Sequence, residues 1–208
     1  MNLRSWLSRG TLILMLYGGL VTLWIARFVA RVDPGAAVEA GLVIVTCIAA
    51  ALAAVYTAWL FHQARGRVLW MRPTLTFELL AHAVTAGSAL LVLLAGPLEL
   101  EPASVGVLRI VLVGSLVTQL GLGLLCEGRF APTGRVEEYR RAHRLVTHGP
   151  YARRHWRIGI GAGVVLPLLI LTLSSAQPVW AVAATLALVG IYVEQDILVR
   201  AGQVLPIS

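Results

Sequence analysis

Residues 73–96, PTLTFELLAHAVTAGSALLVLLAG, decide the fold. At 1.5 Å per residue they make a helix of roughly 36 Å, enough to cross a hydrocarbon core of about 30 Å with a little tilt. Glu78 and His82 lie inside this stretch at a spacing of four, so they share one helix face. Ionisable groups at such depth cost on the order of a few kcal/mol unless they are paired or touch water. The pair therefore needs partners or a task.

The flanking sequence has the same character. Of 208 residues 58% are hydrophobic and 13% charged, with mean hydropathy +0.82, which leaves too little polar surface to clothe a soluble domain. The expectation is an all-α integral membrane protein, a single transmembrane helical domain over residues 1–208. Six spans are expected, near 11–28, 36–61, 73–96, 104–126, 158–174 and 177–198, with a long basic loop at 127–157 between the fourth and fifth. Arg4 and Arg9 precede an apolar run that no small-residue cleavage pattern follows, so a retained first helix is expected rather than a signal peptide.

All 17 basic residues are arginine and the net charge is +7. The loop 127–157 holds eight arginines against three glutamates, and Arg65, Arg67 and Arg72 crowd the loop between the second and third spans. Charge gathered where loops meet the bilayer is a topology signal and not a nucleic-acid footprint. It predicts both termini and both basic loops on the cytoplasmic side of the cell's inner membrane, with the Glu99–Glu101 turn outside. Arg109, just inside the fourth span, is expected to snorkel toward those two glutamates.

Chemistry is limited by what the spans contain. Cys47 and Cys126 make no metal-spaced pair, so no disulfide scaffold, iron–sulfur site or other metal site is expected. Among five histidines only His82 is deep in a span, which is too few for the paired axial ligands of a b-type haem. Glu78 near the basic interface and His82 near mid-membrane form a plausible proton path; the alternative is a packing hydrogen bond with Glu78 neutralised by Arg65, Arg67 or Arg72. Tyr56, a turn before the end of the second span, reaches the same interface layer. In the sixth span Asp196 and Arg200 form an i, i+4 pair, while Glu194 lies deeper without a local partner and is a second candidate acid. The loop motif THGPYARRHWR offers Arg153, Arg154 and Arg157 to phosphate or to an acidic surface. Gly159, Gly161 and Gly163 follow no strand, and so read as close-packing positions between helices, not as a dinucleotide fingerprint.

Several segments taken in order resemble the NrfD-type membrane subunits of polysulfide and nitrite reductases, which belong to complex iron–sulfur molybdoenzymes. They are YTAWLFHQARGRVLW (residues 56–70), the Ala86-Gly87-Ser88-Ala89 span, HWRIGIGAGVVLPLLI (155–170) and VRAGQVLPIS (199–208). The family's YTGxL glycine is here Ala58, and the chain is shorter than the two four-helix halves of full members, its N-terminal side being the reduced one. The resemblance implies a haem-free anchor that binds a quinone, menaquinone or ubiquinone. It would exchange electrons with a four-cluster ferredoxin-like subunit joined to a molybdopterin catalytic subunit. It puts the quinone-site tyrosine at Tyr56, with Arg65 and Trp70 as further quinone-binding candidates and Glu78, His82 and Glu194 as the proton-handling residues. LVTHGPYARRH (145–155) is also similar to the turn before the methyl-donor site of isoprenylcysteine carboxyl methyltransferases, with His148, Tyr151 and Arg154 as its site residues; this likeness covers about a dozen residues and lacks the following proline and tyrosine. A purely structural anchor is the third expectation.

Overall fold

The computed structural model describes residues 5–126 and 129–204, and within them every regular element is helical. Six helices are long and apolar enough to cross a membrane, as the hydropathy pattern predicts. Arg4, Glu127 and the tail beyond residue 204, which the sequence reading used, lie outside the described residues. The helices gather into two compact units, residues 1–63 and 64–208.

The first unit is a helical hairpin. Helix α1 (Trp6–Ala30) ends at Arg31, whose left-handed backbone (φ 53°) lets its N–H reach back to the α1 carbonyls. The Asp33 carboxylate accepts the Gly35 N–H at 2.9 Å, and Gly35 at φ 79° starts α2 (Ala36–His62). Arg27 in the last turn of α1 pairs with Glu39 in the first turn of α2 at 3.0 Å, so each charge complements the dipole of its own helix. Trp24 Nε1 donates to Thr46 Oγ1 at 3.1 Å, and at the other end the Trp6 and Trp59 rings meet at 4.7 Å.

The second unit contains α3 (Leu75–Leu94), α4 (Pro102–Cys126), α5 (Val136–Thr147), α6 (Ala152–Leu173) and α7 (Gln177–Val204). Helix α3 packs on α4 and α7, and α6 packs on α7. Two dry clusters result. The larger holds Leu112 and Leu116 of α4, Leu171 of α6 and Ala183, Ala184 and Ala187 of α7, all fully buried. The smaller lies under α5, where Tyr139, Ala142 and Val146 pack on Val68, Leu69, Val193 and Ile197. That i, i+3, i+7 spacing makes α5 amphipathic, so the polar segment 127–157 contains a docked helix.

Helix α6 begins at Ala152, six residues before the apolar run suggested, because Ala152 to Arg157 continue the helix out of the hydrocarbon. From His155 to Val165 it is π-helical. Pro167 lacks an N–H and its ring would press on a carbonyl one turn earlier in a regular helix; the wider π turn ahead of it relieves that conflict. Gly163 of α6 lies directly against Gly190 of α7, backbone on backbone, which is the close approach expected of small residues between membrane helices.

Arg109 departs from expectation. Its Nε donates to the Leu171 carbonyl at 2.7 Å and its guanidinium lies 4.7 Å over the Trp180 ring. The last carbonyls of α6 lack helical partners, and within a low-dielectric bundle they compete successfully with two glutamates in a solvated turn. Arg67 does the same for α7, donating to Gly202 O at 3.1 Å and Gln203 O at 2.8 Å. Arg67→Ala is expected to cost about 1–3 kcal/mol and to lower the unfolding midpoint in detergent, whereas Arg153→Ala at an exposed position leaves it unchanged.

Candidate functional site

A cavity of about 50 Å³ with several charged and polar side chains in its wall is enclosed by α3, α4, α6 and α7. It brings together Glu78, His82 and Glu194, three residues that the sequence reading singled out on two different spans. It also holds Arg72, His155 and Gln195.

Glu78 occupies the first turn of α3, where a carboxylate faces the positive end of the helix dipole. It forms a largely buried ion pair with Arg72, which stands just before the helix. Of the three arginines named as possible neutralisers, Arg72 is the partner, because the short 3₁₀ turn Val68–Met71 delivers it to the helix start. His82 lies one turn deeper, about 6 Å along the axis. The Gln195 side-chain amide meets His82 Nδ1 at 2.7 Å.

Glu194 finds its partner in tertiary space. His155 Nδ1 stands 3.0 and 3.1 Å from its two carboxylate oxygens, and the His155 side chain is only 3% exposed. Gly159 makes this possible: a Cβ there would overlap the Glu194 carboxylate. The π turns of α6 thus bring His155 and a bare patch of backbone to the same acid. Next to Glu194, Asp196 is held by Arg200 at 2.6 Å, the expected pair, and also by Arg154 at 2.9 Å. Arg154 is thereby committed to an acid within the chain.

Sequence reasoning missed His155, Gln195 and Gln119. His155 looked like a loop residue because its neighbours Tyr151, Arg153, Arg154, Trp156 and Arg157 hid the true helix start; the glycine pattern at 159–163 and Pro167 were the available signals of an irregular helix. The two glutamines carry no charge and gave no signal beyond being polar in apolar runs.

The quinone-binding candidates are distributed differently. Tyr56 belongs to the first unit, where its ring covers Gly10. Trp70 Nε1 donates to the Leu198 carbonyl at 2.9 Å, and its indole lies on Gly202. Arg65 is exposed, and its backbone carbonyl accepts from Arg135. Neither Arg65 nor Trp70 lines the cavity.

A water needs about 10–15 Å³ by this measure, so the cavity has room for a few waters and none for an aromatic ring. Its carboxylates and imidazoles suit proton storage and exchange. Ring-sized space lies beside it in an apolar cleft of about 370 Å³ between α3 and α4, lined by Phe77, Leu80, Val84, Ser115 and Thr118. A buried hydrogen-bond chain joins the two. Gln119 at the cavity wall donates to the Thr85 hydroxyl, which is 2.8 Å from that of Ser115 at the cleft. The cleft has the size and apolar lining for a ring, while its two hydroxyls already donate within α4, Ser115 to Leu112 O and Thr118 to Gly114 O, each at 2.9 Å.

A family model described as polysulphide reductase, NrfD, matches residues 1–207, essentially the whole chain. No curated protein and no solved structure matches the chain.

Proposed function

Because the chain belongs to the polysulphide reductase NrfD family, we propose that it is the quinone-reactive subunit of its complex, with Glu78, His82 and Glu194 handling the protons that accompany quinone chemistry. The family supplies membrane subunits of quinone-interacting oxidoreductase complexes, generally with iron–sulfur and molybdopterin partners. In this reading the partners are a four-cluster ferredoxin-like subunit and a molybdopterin catalytic subunit, the ligand is menaquinone or ubiquinone, the membrane is the cell's inner membrane, and the chain itself needs neither haem nor metal.

The observation that carries the reading is the convergence of Glu78, His82 and Glu194 on one water-sized cavity beside a ring-sized apolar cleft. When bound, the quinone supplies the two-electron, two-proton couple. The residues of this chain do the rest. Glu194 faces His155, Glu78 is paired with Arg72, and His82 meets Gln195, so each of the three proposed proton-handling residues has a fixed partner. The family resemblance names Tyr56, Arg65 and Trp70 as further quinone-binding candidates.

In the purified complex, quinone should copurify in near-stoichiometric amount and quinol oxidation should be sensitive to quinone-site inhibitors. Glu78→Gln and His82→Ala are expected to slow quinol turnover by about 10²-fold while activity with artificial acceptors persists. Unchanged quinol rates and unchanged quinone binding in both variants would remove these residues from the site. The methyltransferase resemblance rests on about a dozen residues against a family match over residues 1–207.

A further inference from the structure

Next to the polar cavity lies a second, larger space, which shares Gly123 and His155 with it. It is an open cleft of about 360 Å³ where α5 meets the start of α6 and the end of α4. Arg140, His143, Arg144 and Thr147 line it from α5. Their spacing of i, i+3, i+4 and i+7 puts them on one face, away from the face that buries Tyr139, Ala142 and Val146. Gly123, Leu124, His148, His155 and Trp156 complete the lining; no carboxylate lines the cleft, and Glu194 stands behind His155 at 3.0 Å from its Nδ1.

The cations there are available. Among the described residues Arg144 has no acidic partner. Arg140 is paired with Glu137 at 2.7 Å, but both side chains are more than half exposed, and such a pair is worth little in water. Two guanidiniums beside imidazoles suit a phosphate group, which guanidinium binds in bidentate fashion; the Thr147 hydroxyl already donates to the His143 carbonyl at 3.1 Å. The apolar part of the rim gives the source of that phosphate. Trp156, 44% exposed, donates its indole N–H to the Thr147 carbonyl at 3.0 Å, so its ring stands at the mouth of the cleft. Leu124, 53% exposed, stands at the end of α4. Both belong to ends of membrane-spanning helices, at the level of lipid headgroups, where basic pockets between spans take anionic lipids.

We propose that this cleft binds the phosphate group of an anionic phospholipid, with Arg140 and Arg144 as its principal ligands and its acyl chains leaving past Leu124 and Trp156. The proposal does not rest on the quinone reading: Arg140 and Arg144 lie outside the polar cavity, although His155 lines both spaces. It is tested by native mass spectrometry of the purified complex after mild delipidation, followed by add-back of phosphatidylglycerol, phosphatidylcholine or inorganic phosphate. Phosphatidylglycerol should bind at one per chain in preference to phosphatidylcholine, and millimolar inorganic phosphate should not displace it. Arg140→Gln with Arg144→Gln should weaken retention on the order of thirtyfold, while Arg141→Gln, exposed on the same helix and outside the cleft, should leave it unchanged with an identical unfolding midpoint. Equal retention in the double variant, or equal binding of the zwitterionic lipid, would overturn the proposal. Displacement by inorganic phosphate would overturn it too, by making the site one for a soluble anion.

Discussion

Glu194→Gln is expected to reduce quinol-dependent turnover of the assembled complex by roughly 10²-fold or more, the range for loss of a proton-transfer group. The substitution keeps the shape of the side chain and its ability to accept a hydrogen bond from His155, so packing around Gly159 is retained. What it removes is the exchangeable proton and the negative charge that His155 Nδ1 faces at 3.0 Å. The unfolding midpoint should therefore change little while the quinol rate falls. If Glu194 and His155 act as a unit, the double variant Glu194→Gln/His155→Gln will be no slower than the worse single one. Gly159→Ala tests the same geometry from the backbone side, since its methyl group would displace the Glu194 carboxylate; it should approach the activity of Glu194→Gln. A Glu194→Gln complex oxidising quinol within twofold of the native rate would show that this acid takes no part.

The second large effect concerns stability. Gly163→Ala puts a methyl group into the backbone of Gly190, and Gly190→Ala does the reverse. No flexible side chain stands between the two helices, so α6 and α7 must separate. Overpacking of this kind costs about 1–3 kcal/mol, and separation also draws His155 and Gly159 away from Glu194. Both variants should show a lower unfolding midpoint in detergent and reduced quinol activity. Gly87→Ala, on a helix face with nothing within 4 Å, is the matched control and should hold or slightly raise the midpoint through its lower unfolded-chain entropy. Equal midpoints for Gly163→Ala and Gly87→Ala would mean that α6 and α7 are not in backbone contact.

The elements themselves were legible from composition. Six spans follow from six apolar runs, because a lipid-exposed backbone must satisfy its hydrogen bonds internally and only a helix does so within one segment. The boundaries were less legible. Helix α6 starts in a polar stretch and α7 runs on to Val204, since hydropathy marks where the hydrocarbon ends and hydrogen bonding continues past it. The candidate site was legible as three separate anomalies. Glu78, His82 and Glu194 stood out because charge is costly in an apolar run; their partners did not. Arg72 was one of three equivalent arginines, His155 was masked by its polar neighbours, and Gln195 is uncharged.

The sequence alone determined that residues 73–96 form a membrane-spanning helix with Glu78 and His82 on one face, and that uncompensated charge there demands partners. Only the tertiary structure decided who those partners are: Arg72 for Glu78, Gln195 for His82, and His155 for Glu194 across 39 residues of chain. The physical reason is that helical spacing is a local property written into each segment. Pairing between helices depends instead on how closely two backbones approach, and here that approach is set by Gly159, Gly163 and Gly190 and by the π turns ahead of Pro167.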